Sequence, residues 1–292
     1  MNYVTAYLGL TKPRILLLIL FSGATALLLQ GRFELLSMPF AGVLLALFLT
    51  GGSANGLNQY FERRVDGMMA RTKQSRPLPL GLIRPRAALR FSLFIGLAGI
   101  ILLLVCYTWQ SAAYAGFTIF FYSIVYTLYL KPRTPWSTVI GGVAGALVPV
   151  GAWAAADAQP NLIPWLLFLI IFFWSPPHFW ALGLHLKSDY DSSPYPLMPK
   201  IYSQAQATKI IMYSTVVLAG VGVLPALLFA GTSYLIVSVA VNGLYIYLAV
   251  HNHLQYSSKR NLILFKYSLL YLFIILGALI YDHTMIRIGH GG

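Results

Sequence analysis

Long apolar runs broken by short polar patches set the pattern of this chain, and most are long enough to cross a bilayer as an α-helix. They fall at about residues 15–30, 38–58, 89–108, 112–130, 138–156, 162–184, 210–230, 233–250 and 262–281. The pattern predicts nine spanning helices, or eight if a short run is buried or re-entrant. The expected fold is all-α: one polytopic membrane domain over residues 1–292, its helices bundled around a central cavity.

Composition agrees. Of the 292 residues 58% are hydrophobic and only 9% charged, against roughly a quarter charged in soluble domains. The net charge of +13 would be read as a nucleic-acid footprint in a soluble protein; here its distribution matters more. With the N-terminus inside and nine spans, every one of the 20 Lys and Arg except Arg32 and Arg287 falls on the inner side. That sorting favours an N-in, C-out topology and argues against nucleic acid as a partner. It places Glu62, Asp66, Asp189 and Asp191 inside, and Glu34, Asp157 and Asp282 outside. Cys106 is the single cysteine and lies in an apolar run, so it reads as packing. The chain begins two short turns before its first span, and that span reads as an uncleaved helix rather than a signal peptide. A prokaryotic plasma membrane is the expected location.

The chemistry concentrates in Asn55–Pro79, NGLNQYFERRVDGMMARTKQSRPLP. Asn58, Glu62 and Asp66 recur every four residues, so on a helix they share one face. Arg63, Arg64, Arg71, Lys73 and Arg76 follow closely. Amide and carboxylate oxygens suit Mg²⁺, and guanidinium and ammonium groups suit phosphate oxygens, so the stretch reads as a site for a metal-bound diphosphate. The plainer reading is a solvated helix end; Asn55, an amide a turn deeper, speaks against it.

A second stretch, WSPPHFWALGLHLKSDYDSSPYPLMP from Trp174, puts His178, His185 and Asp189 on one helical stripe. Its prolines predict a break or restart of the sixth span before His178. Asp189 is the natural second half of the ligand set, opposite the acids of the second span, and Asp191 reads equally well as a loop acid. A third stretch, YSIVYTLYLKPR from Tyr122, offers Tyr126, Tyr129, Lys131 and Arg133, either as aromatic faces for a cation and charges for phosphate or as an ordinary aromatic belt. The small residues from Gly141 to Trp153 favour close helix packing. His251, Asn252 and His253 end the eighth span, near the same mouth or as interfacial anchors. No Walker loop, Rossmann fingerprint, zinc spacing or nucleophile elbow occurs.

Asn58–Pro79 resembles the first aspartate-rich motif of the UbiA-type intramembrane prenyltransferases, and Trp174–Pro199 resembles their second. The blocks Tyr126–Trp153 and Leu264–His283 are similar as well, so the likeness runs from about Thr11 to His283. Trp136–Ser137 and Tyr190–Ser193 depart from the usual pattern. The resemblance implies farnesyl transfer from farnesyl diphosphate to a vinyl group of haem B, with haem B a substrate rather than a cofactor. It implies Mg²⁺ held by Asn58, Glu62, Asp66 and Asp189, and diphosphate held by Arg71, Lys73, Arg76 and Lys131. His178, Tyr126, Tyr129 and Asn55 would face the haem or the prenyl cation. A downstream haem A synthase or terminal oxidase assembly would be a partner. The rival readings are a sibling enzyme acting on a quinone precursor or other aromatic ring, a transporter, and a haem-handling assembly factor.

Overall fold

The structure, a computed structural model, describes residues 3–157, 159 and 161–290, the last three by backbone alone. The described residues form helices and no strands. Nine of these helices are long and apolar enough to span a membrane. The chain divides into two compact units, Met1–Pro160 with Ser188–Pro196, and Asn161–Lys187 with Leu197–Gly292.

The first unit starts with a short helix, α1 (Tyr3–Thr11), where no element was expected. It is followed by the first span, α2 (Pro13–Gln30), whose end is closed by Gly31 in the left-handed conformation, φ 76°. Ser37 caps α3 (Met38–Asp66), accepting from the Phe40 amide. This helix runs well past the apolar part of its sequence, carrying the polar residues of its last turns with it. A short turn, α4 (Ala70–Lys73), leads to α5 (Pro85–Cys106). The fourth span begins as α6 (Trp109–Phe120), capped by Thr108, and continues without a break as a ten-residue π-helix, Phe121–Leu130. The small-residue run becomes α7 (Ser137–Ala156).

Helices α3, α5, α6, α7 and α2 pack in that order as a closed ring, and α1 lies against α3. Small residues set the closest crossing: a Cβ on Gly96 of α5 would stand 2.3 Å from Ser53 Oγ, and one on Gly99 would stand 2.7 Å from Thr50 Cγ2. Most of α7 is buried, 78% of its apolar window against 28% for α5, as its alanines and glycines allow.

The second unit is a ring of four spans: α8 (Ile163–His185), α11 (Gln204–Leu228), α12 (Thr232–Leu254) and α13 (Ser258–His290). A short helix, α9 (Lys187–Asp191), belongs to the first unit from Ser188 onward. Another, α10 (Met198–Ile201), precedes α11, whose start is a full capping box between Ser203 and Gln206. The Asp282 carboxylate on α13 accepts from the Gly231 and Tyr234 amides, capping α12. The expected break at the prolines does not occur. α8 passes through Pro176 and Pro177 as one helix, and Ser175 Oγ donates back to the Ile171 carbonyl just ahead of them. Inside a membrane, neighbouring helices and hydroxyls can re-satisfy the backbone that a proline frees.

Candidate active site

Asn58, Glu62 and Asp66 share one face of α3, and all three are buried at 2%, 2% and 3% exposure. That excludes a solvated helix end. Buried carboxylates and amides need partners, and here the partners arrive from three other segments. Lys131, one residue beyond the π-helix, donates to Glu62 Oε1. Arg76, from the loop after α4, donates to Asp66 Oδ2 and lies 3.6 Å from Glu62 Oε2. Lys12, between α1 and α2, donates to Asn58 Oδ1 at 2.9 Å.

Burial opposes the charge on Arg76 and on Lys131, but the facing carboxylates outweigh it and hold both groups above their ordinary values. Lys12 fares differently: burial first, then the Arg76 charge, push its amine down to about 7. Its backbone is unusual as well, at φ 54°, ψ 62°, a left-handed conformation that costs a non-glycine residue energy.

Side chains of α3 fix this placement. Asn55 Nδ2 donates to the Thr11 carbonyl, and Gln59 Nε2 donates to the carbonyls of Gly9 and Leu10. These carbonyls belong to the last turn of α1, where intrahelical donors run out; that of Gly9 also accepts from the Lys12 amide at 3.4 Å. Asn55, expected to face substrate, thus gives its amide to fastening α1 on α3.

The π-helix performs a similar service. Its wider turn lets the Lys131 amide reach the carbonyl of Tyr126, five residues back, at 2.9 Å. Lys131 Nζ then lies 5.7 Å from the centre of the buried Tyr126 ring, which stacks on Tyr122 at 5.1 Å. Asn58 Nδ2 donates to Thr127 Oγ1, whose hydroxyl donates in turn to the Tyr122 carbonyl. Tyr195 covers Lys131 at 5.4 Å; burial, then the Glu62 charge, raise its phenol above the ordinary value.

Asp189 reaches α4: Oδ1 accepts from the Arg71 amide at 3.1 Å, and Oδ2 lies 3.5 Å from Arg71 Nε. One residue on, Thr72 Oγ1 donates to the Asp66 carbonyl. The acidic ends of the two sequence stretches therefore meet on the same four-residue helix. Asp189 Oδ2 is buried and accepts no hydrogen bond. Among the described residues no three His, Cys, Asp or Glu are grouped by themselves as a metal site. The acids are charge-paired instead: Arg76 is shared by Glu62 and Asp66, Lys131 pairs with Glu62, and Arg71 pairs with Asp189. Two buried carboxylates with an amide still fit Mg²⁺, which is commonly held by one or two carboxylates, with phosphate oxygens and water completing its shell.

Other expected residues separate. Lys73 is exposed. Tyr129 is 59% exposed with the Arg133 guanidinium 4.4 Å over its ring, the arrangement of an interface anchor. In the second unit, His178 is buried, stacked on Trp174 at 4.2 Å, with Nδ1 2.6 Å from Ser268 Oγ. Ser268 Oγ also donates to the Phe265 carbonyl. His185 is held by Ser258, and His253 by Thr208. Lys12, Gln59, Tyr122 and Tyr195 were not singled out beforehand. Only the four-residue step from Asn55 to Gln59 was a visible signal.

A buried row of acids and amides, enclosed by cations and aromatic rings at the end of a spanning helix, defines a class, and comparison with known proteins gives it a family. A profile of the UbiA prenyltransferase family matches residues 16–285, and the chain belongs to that family. Within the family it is similar to the protoheme IX farnesyltransferase of Neorickettsia sennetsu, 39% identical over 287 residues that cover 97% of this chain and 93% of that one. Solved structures share the fold. A digeranylgeranylglyceryl phosphate synthase aligns with a TM-score of 0.79 at 21% identity, over 97% of this chain and 99% of its own. A UbiA homologue from Archaeoglobus fulgidus, bound to DMAPP and Mg²⁺, aligns at 0.65 and 14% identity, over 94% and 99%.

Proposed function

We propose that the protein transfers the farnesyl group of farnesyl diphosphate to a vinyl group of haem B, with uptake of water, giving haem O and diphosphate. The 39% identity to a protoheme IX farnesyltransferase over nearly the whole of both chains carries the choice of acceptor. The α3 cluster supports the donor half. Breaking the allylic C–O bond leaves negative charge on the departing diphosphate; Arg76 and Lys131 are cations already buried where that charge would arise, and the Lys12 amine beside them would gain its proton as the charge develops. Arg71, and Lys73 at the rim, extend the positive lining.

Mg²⁺ would be held by Asn58, Glu62 and Asp66, with Asp189 as the further carboxylate, and would supply Lewis-acid stabilisation of the leaving group. Asn58 Oδ1 must release Lys12 to serve as a ligand, which frees that amine for phosphate. The Tyr126 and Tyr195 rings beside Lys131 offer π-faces to an allylic cation and help to exclude water. His178 is assigned to haem, its imidazole serving the iron, a propionate or a proton. The whole of residues 1–292 acts as a single prenyltransferase domain in a prokaryotic plasma membrane, with the site on the cytoplasmic side, and the product passes to a haem A synthase or oxidase assembly.

The test is acceptor choice. Membranes containing the protein, given farnesyl diphosphate with either haem B or 4-hydroxybenzoate, should consume only haem B, and extracted haem should gain the mass of a farnesyl group plus water. Prenylated 4-hydroxybenzoate with unchanged haem would move the protein to the quinone branch of the family.

A further inference from the structure

Arg84, Arg86 and Arg90, at the start of α5, play no part in the chemistry above. All three are exposed, and among the described residues no carboxylate pairs with any of them. Together with Tyr7, Ala87 and Phe91 they line an open surface pocket of about 590 Å³. Tyr7 and Phe91 meet ring to ring at 4.9 Å, forming an apolar wall. Beneath it lies a small core of Ala6, Leu10, Leu78, Ile83 and Ala88, joining α1 to the start of α5.

Arg86 and Arg90 are one helical turn apart, a like-charge spacing that is unfavourable until an anion lies between them. Orientation of a membrane protein requires only positive charge; it does not require three guanidinium groups around one hollow. The level of the cavity is set by its neighbours: α5 spans the membrane from Pro85 onward, and α1 exposes Tyr3, Val4 and Leu8 beside it. An apolar surface on a short helix next to a spanning helix belongs at the depth of lipid headgroups.

We propose that this cavity binds the headgroup of an anionic phospholipid, its phosphate held by Arg84, Arg86 and Arg90 and its acyl chains running along α5 past Phe91. Guanidinium groups suit phosphate because they donate in pairs, and basic pockets at helix ends are recurrent headgroup sites.

Native mass spectrometry of the purified full chain in detergent tests this, using phosphatidylglycerol and phosphatidylcholine with identical acyl chains. Phosphatidylglycerol should bind at least about tenfold more tightly than phosphatidylcholine, and the variant Arg84→Gln/Arg86→Gln/Arg90→Gln should lose that preference. Ala87→Trp, which projects an indole into the pocket between the arginines and keeps the charges, should lose it too. Arg133→Gln, a surface arginine elsewhere, should keep it. Equal binding of the two lipids by the wild-type chain overturns the proposal without reliance on any variant. An undiminished preference in either cavity variant also overturns it. Displacement of phosphatidylglycerol by millimolar inorganic phosphate would assign the cavity to free phosphate instead.

Discussion

Lys12 shows how much one residue can hold. In sequence it is an ordinary inner-side cation before a proline. In the structure it occupies a left-handed backbone conformation and delivers its amine to Asn58. With its amine pushed down to about 7 from the usual 10.5, the unfolded chain holds the extra proton between those values. Stability should therefore rise with pH from about 7 upward and lose this dependence below 7, where both states are charged. Melting curves in detergent at pH 7 and 9 should show a gain in the wild type that Lys12→Met lacks; parallel shifts in the two proteins would refute it. The acids make a second test. Asp66→Ala and Asp189→Ala should each lower haem O formation by about a hundredfold or more while membrane abundance stays normal. Full turnover in either would remove that residue from the site. The α3 acids were legible from their four-residue spacing, because helical period alone puts them on one face. Lys12 and Tyr195 were not, because nothing local distinguishes a topology lysine or a loop tyrosine from one folded inward.

Between residues and the whole chain, the π-helix and α7 make the working element. The widened turn of Phe121–Leu130 places Lys131 over Tyr126, and Gly141 of α7 leaves room for that ring. A Cβ at Gly141 would stand 2.5 Å from Tyr126 Cδ2, whereas one at Gly145 would meet nothing within 4 Å. Gly141→Ala should destabilise the protein by about 1–3 kcal/mol and reduce turnover, because the ring must move and carry the cation site with it. Gly145→Ala should do neither. Thermal melts and initial rates of the pair check the claim, and equal behaviour would refute it. The sequence marked Gly141–Trp153 as close packing and the Tyr122–Arg133 stretch as a helix end, and both descriptions hold. It carried no mark of the π-turn, since that register answers to what Thr127, Tyr126 and Lys131 meet on α3 and α7. The expected break at Pro176–Pro177 failed for a related reason: the cost of proline in a helix depends on what surrounds the freed carbonyls.

At the scale of the whole molecule the open matter is orientation, and charge sorting predicts it. In a Cys106→Ser background, Gln74→Cys should react with an impermeant thiol reagent only from the cytoplasmic side, and Leu36→Cys only from outside. The reverse pattern would invert the topology and move the site to the other face. The same sorting accounts for why nine spans were legible in the sequence at all. Apolar length fixes a span and cations fix its direction, and both are local quantities.

Hydrophobic runs determined by themselves that this is a helical membrane protein, the four-residue recurrence put Asn58, Glu62 and Asp66 on one helical face, and the prenyltransferase kind came from the resemblance of its ordered motifs to a known family. Only the tertiary structure decided which cation meets which acid, that Asn55 and Gln59 fasten α1, and that Asp189 reaches the short helix after Asp66. Periodicity is a property of neighbours along the chain, whereas the pairing of buried charges depends on which distant segments the packing brings within a few ångströms.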